Sequence, residues 1–217
     1  MQFPDFKTDD ALKALAANAV QGGEQVRAVV RDLTLKALET RELSLDQVGG
    51  VVRSVTEGVN IGAMGQGTDV ARTLKQAFSG IDDAVLKAVE ANRIALEKMT
   101  EGGAQFEDSS IKKALSELER MEDGMMNGIA QAAGGASAQI RQQWEMMLEQ
   151  LPHGGTMTGA GATQTLAMFA QQMQSAARAQ RELGFKAAHA MTQSYATFVT
   201  GVLAGLSEAI KQGQKKG

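Results

Sequence analysis

Two histidines, His153 and His189, are the side chains of this sequence best suited to bind a metal or to transfer a proton. Pro152 separates His153 from Glu149, so these two side chains cannot share one face of a continuous helix. His189 has alanine on both sides, and the chain contains no cysteine. A zinc site needs about three or four ligands that converge. The sequence therefore predicts no metal site and no cofactor.

Carboxylates cluster in one predicted helix, at Glu117, Glu119, Glu122 and Asp123. Without histidine partners such a cluster is typical of a solvated face. The glycine-rich stretch 154–161 lacks the Gly-Lys-Ser/Thr ending of a P-loop and the third glycine of a dinucleotide fingerprint. An enzyme would have to build its pocket from these carboxylates with His189 or Tyr195, and no acid–base pair lies at a workable spacing. We therefore expect a protein without enzymatic activity.

A run without Asp, Glu, Lys or Arg extends from Ala187 to Ser207. Its length would suffice to cross a bilayer. Because glutamine, histidine, threonine and serine dilute its apolar residues, we expect no integral membrane span. The face that we expect to meet a partner consists of Met191, Tyr195, Phe198, Val202 and Leu206. It would be covered inside the bundle, by a second copy of the chain, or by a surface that attracts amphipathic helices.

The composition points to helices. Hydrophobic residues make up 43% of the 217 residues, aromatic residues only 4%, and there are two prolines. Alanine, glutamine, methionine and leucine dominate, and all are good or tolerable helix formers. We predict an all-α protein, an elongated bundle of about five long amphipathic helices. The absence of cysteine suits the cytoplasm, and the first residues lack the basic and apolar regions of a secretory signal.

Apolar residues at steps of three and four predict four helices in an acidic body over residues 1–151. We place them at about 9–42, 45–62, 69–101 and 109–151. The first helix runs through Gly22–Gly23, where the alternative is two helices with a bend. The third has the heptad pattern of a coiled coil, with Asn92 as its one polar member. In the fourth, Gly134–Gly135 favours a kink.

A loop rich in glycine and threonine, residues 152–163, separates this body from the final helix. We expect it to act as a hinge through its glycines, Gly154, Gly155, Gly159 and Gly161. A long final helix with a basic tail would then cover 164–217. Residues 1–151 carry 16 basic and 23 acidic side chains, a net charge of −7, whereas residues 152–217 carry 6 and 2, a net charge of +4. This positive part would face either an anionic surface or the acidic body.

Methionine is the other informative residue type, because nine of the twelve lie from Met121 onward. Thioether side chains pack adaptably and suit surfaces that accept varied apolar partners, although they also fill ordinary helical cores. The few basic residues of the last third are not interleaved with aromatic ones, so we expect no nucleic-acid binding. An apolar partner fits the pattern better.

The last third of the chain resembles the Ala/Gln/Met-rich amphipathic helices of phasins, bacterial proteins that coat polyhydroxyalkanoate granules. The resemblance rests on TLAMFAQQMQSAARAQRELGFKAAHAMTQSYATFVTGVLAGL. It is one of composition and helical layout, covers about 164–211, and is weaker over 108–151. The layout also resembles exchangeable apolipoproteins and uncharacterised bacterial helical bundles. The resemblance implies a cytoplasmic protein at a granule or membrane surface, and it assigns a role to no individual residue.

From these features we expect a non-enzymatic helical protein that binds an apolar surface, either lipid or a storage-polymer granule. The alternative is a homo-oligomeric helical scaffold or protein-interaction module, with residues 187–207 as the interface. Burial of residues 187–207 by the chain's own bundle would weaken the first hypothesis, because the charge-free run is its main support.

Overall fold

A computed structural model describes residue 6 and residues 8–23, 25–41, 45–64, 69–101, 109–151, 155–182 and 199–207. Over these residues the protein is all-α, as its composition predicts, and it contains no strand. The helices are α1 (Asp9–Gln21), α2 (Val26–Thr40), α3 (Leu45–Ala63), α4 (Val70–Glu101), α5 (Ser109–Glu119), α6 (Met121–Gly134), α7 (Ala138–Glu149), α8 (Met157–Glu182) and α9 (199–207).

Helix α4 is the centre of the bundle, because it packs against α2, α3, α5, α6, α7 and α8. Its buried residues follow the predicted heptads, from Leu74 through Ile81 to Met99. Asn92 is also buried, and its side-chain amide donates a hydrogen bond to the carbonyl oxygen of Ala88 at 2.8 Å. The polar member of the heptad seam is therefore satisfied within its own helix.

Three pairs of helices approach closely at glycines. A Cβ atom on Gly62 would lie 2.6 Å from the carbonyl oxygen of Ala17, and one on Gly128 would lie 2.7 Å from that of Gly49. A Cβ on Gly80 would likewise collide with the backbone of α2. Because glycine has no side chain, these positions allow α3 to pack closely on α1 and on α6, and α4 to pack closely on α2.

The helix predicted over 9–42 is two helices, α1 and α2. Gly23 has φ +70° and Gln25 has φ +60°, both in the left-handed region that interrupts a helix. Because α1 packs on α3 and α2 packs on α4, both helices turn their apolar faces toward the same core. The steps of three and four continue across the break for that reason, and the bend at the glycine pair is the correct alternative.

The helix predicted over 109–151 is three helices, α5, α6 and α7. The break between α6 and α7 lies beside Gly134–Gly135, where the sequence favours a kink. The break between α5 and α6 lies at Arg120, with φ −98° and ψ 4°, and neither glycine nor proline marks it. With these interruptions, the expectation of about five helices is wrong.

The loop predicted over 152–163 is helical from Met157 onward. Gly159 and Gly161 therefore lie inside α8, and the prediction that they form a flexible loop is wrong. Gly155, with φ +77°, lies just before the helix, whereas Gly154 lies outside the described residues. The final helix predicted over 164–217 is helical over 164–182 and 199–207, and its other residues also lie outside the described part.

The buried residues form two clusters. The main core combines side chains from most of the helices and includes Val199 and Leu203 of α9. The second cluster lies toward the C-terminal end of α4 and contains Leu96, Met99, Ile111, Ala114 and Phe169. Helix α8 supplies Phe169 to this second cluster and Ala162 to the main core, so it connects the two.

Candidate functional site

The predicted contact face lies only partly within the described residues, because Met191, Tyr195 and Phe198 fall outside them. Val202 and Leu206 are half-buried against the main core. Leu203, between them, is fully buried. One side of α9 is therefore covered by the chain's own bundle, which weakens the case that this part of the charge-free run meets a foreign surface.

The best-defined polar arrangement is the anchor at the N-terminal end of α8. The backbone N–H groups of Met157 and Thr158 each donate to one carboxylate oxygen of Asp82, both at 2.9 Å. The Thr158 hydroxyl donates to the Asp82 carbonyl oxygen at 3.1 Å. Asp82 is buried on α4, so a carboxylate of the central helix satisfies two N–H groups that a helix terminus leaves free.

A second carboxylate completes this anchor. The N–H and the hydroxyl of Thr156 both donate to Oε1 of Glu122, on α6, at 2.9 and 2.7 Å. The N–H of Gly159 donates to the Thr156 hydroxyl oxygen at 3.0 Å, so Thr156 is the N-cap of α8. Glu122, which the sequence places in a solvated acidic cluster, is half-buried and bound to another helix.

The two glycines of α8 permit this close docking. A Cβ atom on Gly159 would collide with the Glu122 carboxylate, and one on Gly161 would lie 2.5 Å from Cδ1 of Leu86. Their positions in the helix are thus explained by the neighbours that they face rather than by backbone flexibility. The tertiary contacts of Asp82 and Glu122 decide where α8 begins.

An open groove of about 470 Å³ runs between α4 and α8. Its apolar lining includes Leu86 and Val89 of α4 and Met168 of α8. Met157, also in the lining, is 61% exposed. The polar side chains that border it are Glu90, Arg93, Gln164 and Thr165. An apolar groove with a few polar groups suits an apolar side chain or an acyl chain better than a charged ligand.

A second groove, of about 370 Å³, lies where α3 ends and α6 gives way to α7. Ile61 and Met64 line it and are 48% and 62% exposed. Lys13 and Glu57 also line it and form an ion pair at 2.6 Å. The hydrogen bond to the Glu57 carboxylate raises the pKa of Lys13 above its usual value. This groove therefore combines two exposed apolar side chains with a paired lysine and glutamate at its border.

Beneath the second groove lies a polar contact that the sequence does not reveal. The indole N–H of the buried Trp144 donates to Oδ1 of Asn60 at 2.7 Å. The Asn60 amide donates in turn to the carbonyl oxygen of Ala132 at 3.0 Å. These bonds tie α7 and α6 to α3 and satisfy polar groups that burial would otherwise penalise. Their partners are too distant in the chain for any local pattern to predict them.

His153, His189 and Tyr195 lie outside the described residues. Within the described part of the chain, no three histidine, aspartate or glutamate side chains converge in a way that could hold a metal ion. Of the helices described, none is both long and apolar enough to cross a membrane.

Comparison with curated proteins and with solved structures finds no match. A family model described as a family of unknown function, DUF6781, matches residues 4–212. The match extends from before α1 to beyond α9, so it covers the anchor and both grooves, but it supplies no activity. It assigns no relationship to phasins, whose resemblance to this chain remains one of composition. The chain therefore belongs to the family DUF6781.

Proposed function

We propose that this protein is a non-enzymatic binding protein whose amphipathic helices take up an apolar surface, either lipid or a storage-polymer granule. The groove between α4 and α8 carries the proposal, because its apolar lining opens directly to solvent beside the exposed Met157. Four of the six large hydrophobic side chains exposed in the described residues are methionines, which adapt to irregular apolar partners. One of the four, Met157, lies in the lining of the groove, and contiguous exposed apolar surface commonly marks a binding site.

Flotation with vesicles and with polyester particles tests this proposal. The purified protein should float with at least one of them. Replacing Met157 and Met168 by glutamine should weaken the binding about tenfold or more, because both line the groove. Met146→Gln is the matched control, since Met146 is exposed on α7 and does not line this groove. A protein that stays wholly in the unbound fraction with both materials would contradict the proposal.

A second candidate function is self-association, favoured by the outer side of α9. Gly201 and Gly205 are exposed, and a Cβ atom on either would meet nothing within 4 Å. Their spacing lets a second helix approach closely. Light scattering should then show a dimer that Gly201→Leu and Gly205→Leu disrupt, and the open space around both residues means that the monomer tolerates the larger side chains. A strictly monomeric chain at high concentration excludes this candidate.

A further inference from the structure

We infer that α8 detaches from the bundle as a unit while α1 to α4 and α6 remain folded. The apolar stripe that α8 covers on α4 and α5 then becomes the lipid-contact surface. This last step rests on the proposed function, whereas the detachment of α8 does not. Two kinds of contact hold this helix, a small apolar one and a set of hydrogen bonds at its N-terminal end.

Helix α8 buries far less apolar surface than α3 does over the same length. The 19 residues of α3 bury at least six apolar side chains, Val48, Val51, Val52, Val55, Val59 and Ala63. Over residues 157–175, the buried side chains of α8 are Ala162 and Phe169, together with Thr158 and Thr165. Buried apolar area supplies most of the favourable free energy of packing, so α8 is held less strongly than α3.

Besides these side chains and the partly buried Leu166 and Met168, α8 is held by hydrogen bonds that water can replace. Asp82 and Glu122 accept hydrogen bonds from the first N–H groups of the helix and from Thr156. When α8 leaves, both carboxylates and these N–H groups become hydrated, and the net loss per bond is much smaller than its strength in isolation. An apolar contact of similar extent has no such replacement in water. The anchor therefore positions α8 accurately without holding it permanently.

Detachment uncovers an apolar stripe and removes from the main core only Ala162 and the partly buried Leu166 of α8. Leu86 and Val89 on α4 line the groove beside α8, and Leu96 lies further along the same helix under Phe169. Ile111 of α5 belongs to the same cluster. Except for Met99, which belongs to the second cluster, the apolar residues of the α4 heptad face lie in the main core with α2 and α3. The stripe can therefore be exposed while the rest of the bundle stays packed.

Single thiols can report this opening, because the chain contains no cysteine. Ala162→Cys places a thiol on the inner face of α8, and Ala88→Cys places one on the core face of α4, where the alanines are 4% and 0% exposed. A thiol reagent in native buffer reacts only when the site opens. We expect the Ala162→Cys thiol to react at least about tenfold faster, with a weaker dependence on denaturant.

Two further substitutions separate local from global opening. Asp82→Asn weakens the anchor and should raise the reaction rate at Ala162→Cys by about tenfold. Asn60→Ala breaks the contact of α3 with α6 and α7, which persists after α8 has left. It should therefore raise the rate at Ala88→Cys and leave the rate at Ala162→Cys unchanged. Equal rates at the two thiols in every background would overturn the inference, because α8 would then open only with the whole molecule.

A reversible disulfide between α4 and α8 tests whether the detachment of α8 is needed for lipid binding. A Cβ on Gly161 would lie 2.5 Å from Cδ1 of Leu86, so the pair Leu86→Cys and Gly161→Cys removes the clashing methyl groups and brings two thiols together. In the oxidised protein the disulfide holds α8 on α4. The same protein after reduction of the disulfide serves as the control. The probe is a phosphatidylcholine vesicle containing anionic phosphatidylglycerol, and binding is measured by flotation.

We expect the reduced double variant to bind these vesicles and the oxidised form to lose at least about nine-tenths of that binding. Equal binding by the two forms overturns the link between opening and binding and leaves the proposed function standing. If the unaltered chain binds neither vesicles nor polyester particles, the proposed function fails, and the thiol reaction rates still decide whether α8 detaches.

Discussion

Gly58 and Gly50 lie in the same helix, α3, but only Gly58 faces a close neighbour. A Cβ atom on Gly58 would collide with the backbone carbonyl of Lys13 in α1, whereas one on Gly50 would meet nothing within 4 Å. We expect Gly58→Ala to lower the free energy of unfolding by about 1–3 kcal/mol, because α1 must move away from α3. Urea unfolding measures this change.

Gly50→Ala is the matched control for that substitution. Alanine loses less backbone entropy than glycine on entering a helix, so Gly50→Ala should raise the free energy of unfolding by about 0.5–1 kcal/mol. Opposite signs for two identical substitutions in one helix would show that close packing on α1 determines the effect. A stabilising Gly58→Ala would contradict the position that α1 takes on α3.

Asp9 makes the stability of the protein depend on pH. Burial raises its pKa, but hydrogen bonds from Arg41 and Ser54 and the charges of Arg41 and Arg53 outweigh this and hold the pKa below its usual value. A lowered pKa in the folded state means that the ionised carboxylate stabilises the fold above about pH 3.9, its ordinary pKa. This contribution disappears as the pH falls through the lowered pKa.

We therefore expect Asp9→Asn to be less stable than the natural chain at neutral pH, by no more than about 1 kcal/mol because the side chain is partly solvated. The difference should vanish at low pH, and urea unfolding across a pH series measures it. Asp10→Asn is the control, since Asp10 occupies the same first turn but its side chain is 98% exposed. An equal pH dependence for both substitutions would assign the effect to the helix dipole instead of Arg41.

At the scale of the element, the packing of α9 on the main core determines how much of the charge-free run the bundle covers. Leu203 is fully buried in the main core, whereas Val202 is only half-buried. We expect Leu203→Ala to cost about 2–5 kcal/mol of unfolding free energy and Val202→Ala clearly less. Thermal or urea unfolding measures both. If Leu203→Ala costs nothing, α9 is undocked in solution and its apolar face is available to a foreign surface.

Two helices could be placed from sequence because their signals are local. The heptads of α4 and the capping pattern before α3 predict ranges that agree with the structure to within one residue. The start of α8 could not be placed in this way. Asp82 and Glu122, which fix it, lie 75 and 34 residues from the groups that they bind. Gly159 and Gly161, which the sequence predicts to lie in a loop, are therefore helical, and the side chains that they face on α6 and α4 leave no room for a Cβ atom.

The candidate site was harder to predict than the fold. Leu86 and Val89 lie off the heptad seam of α4, and they form a groove only because α8 docks beside them. Sequence reasoning singled out the charge-free run instead, since the absence of charge is visible without a tertiary structure. It did identify methionine as informative, and Met157 and Met168 both line the groove. The sequence alone does not reveal where α8 packs on α4.

At the scale of the whole molecule, the two buried clusters differ in size and in what they hold. Trp144 lies in the main core, where Asn60 accepts its indole hydrogen bond. The second cluster is much smaller, and α8 contributes to it the buried Phe169 and the partly buried Met168. Segments with few buried apolar contacts open at lower free energies than the rest of a protein. The loss of α8 and the unfolding of the main core should therefore be separable.

We predict that urea lowers the helix content, measured by far-UV circular dichroism, at lower concentrations than those that change the fluorescence emission of Trp144, the only tryptophan. Phe169→Ala should widen the gap between the two transitions, because it weakens only the second cluster, by about 3–5 kcal/mol. Ile129→Ala removes a fully buried side chain of the main core and should narrow the gap by lowering the tryptophan transition. Coincident transitions in all three proteins would mean that the molecule unfolds as one unit, and α8 could not then serve as a detachable helix.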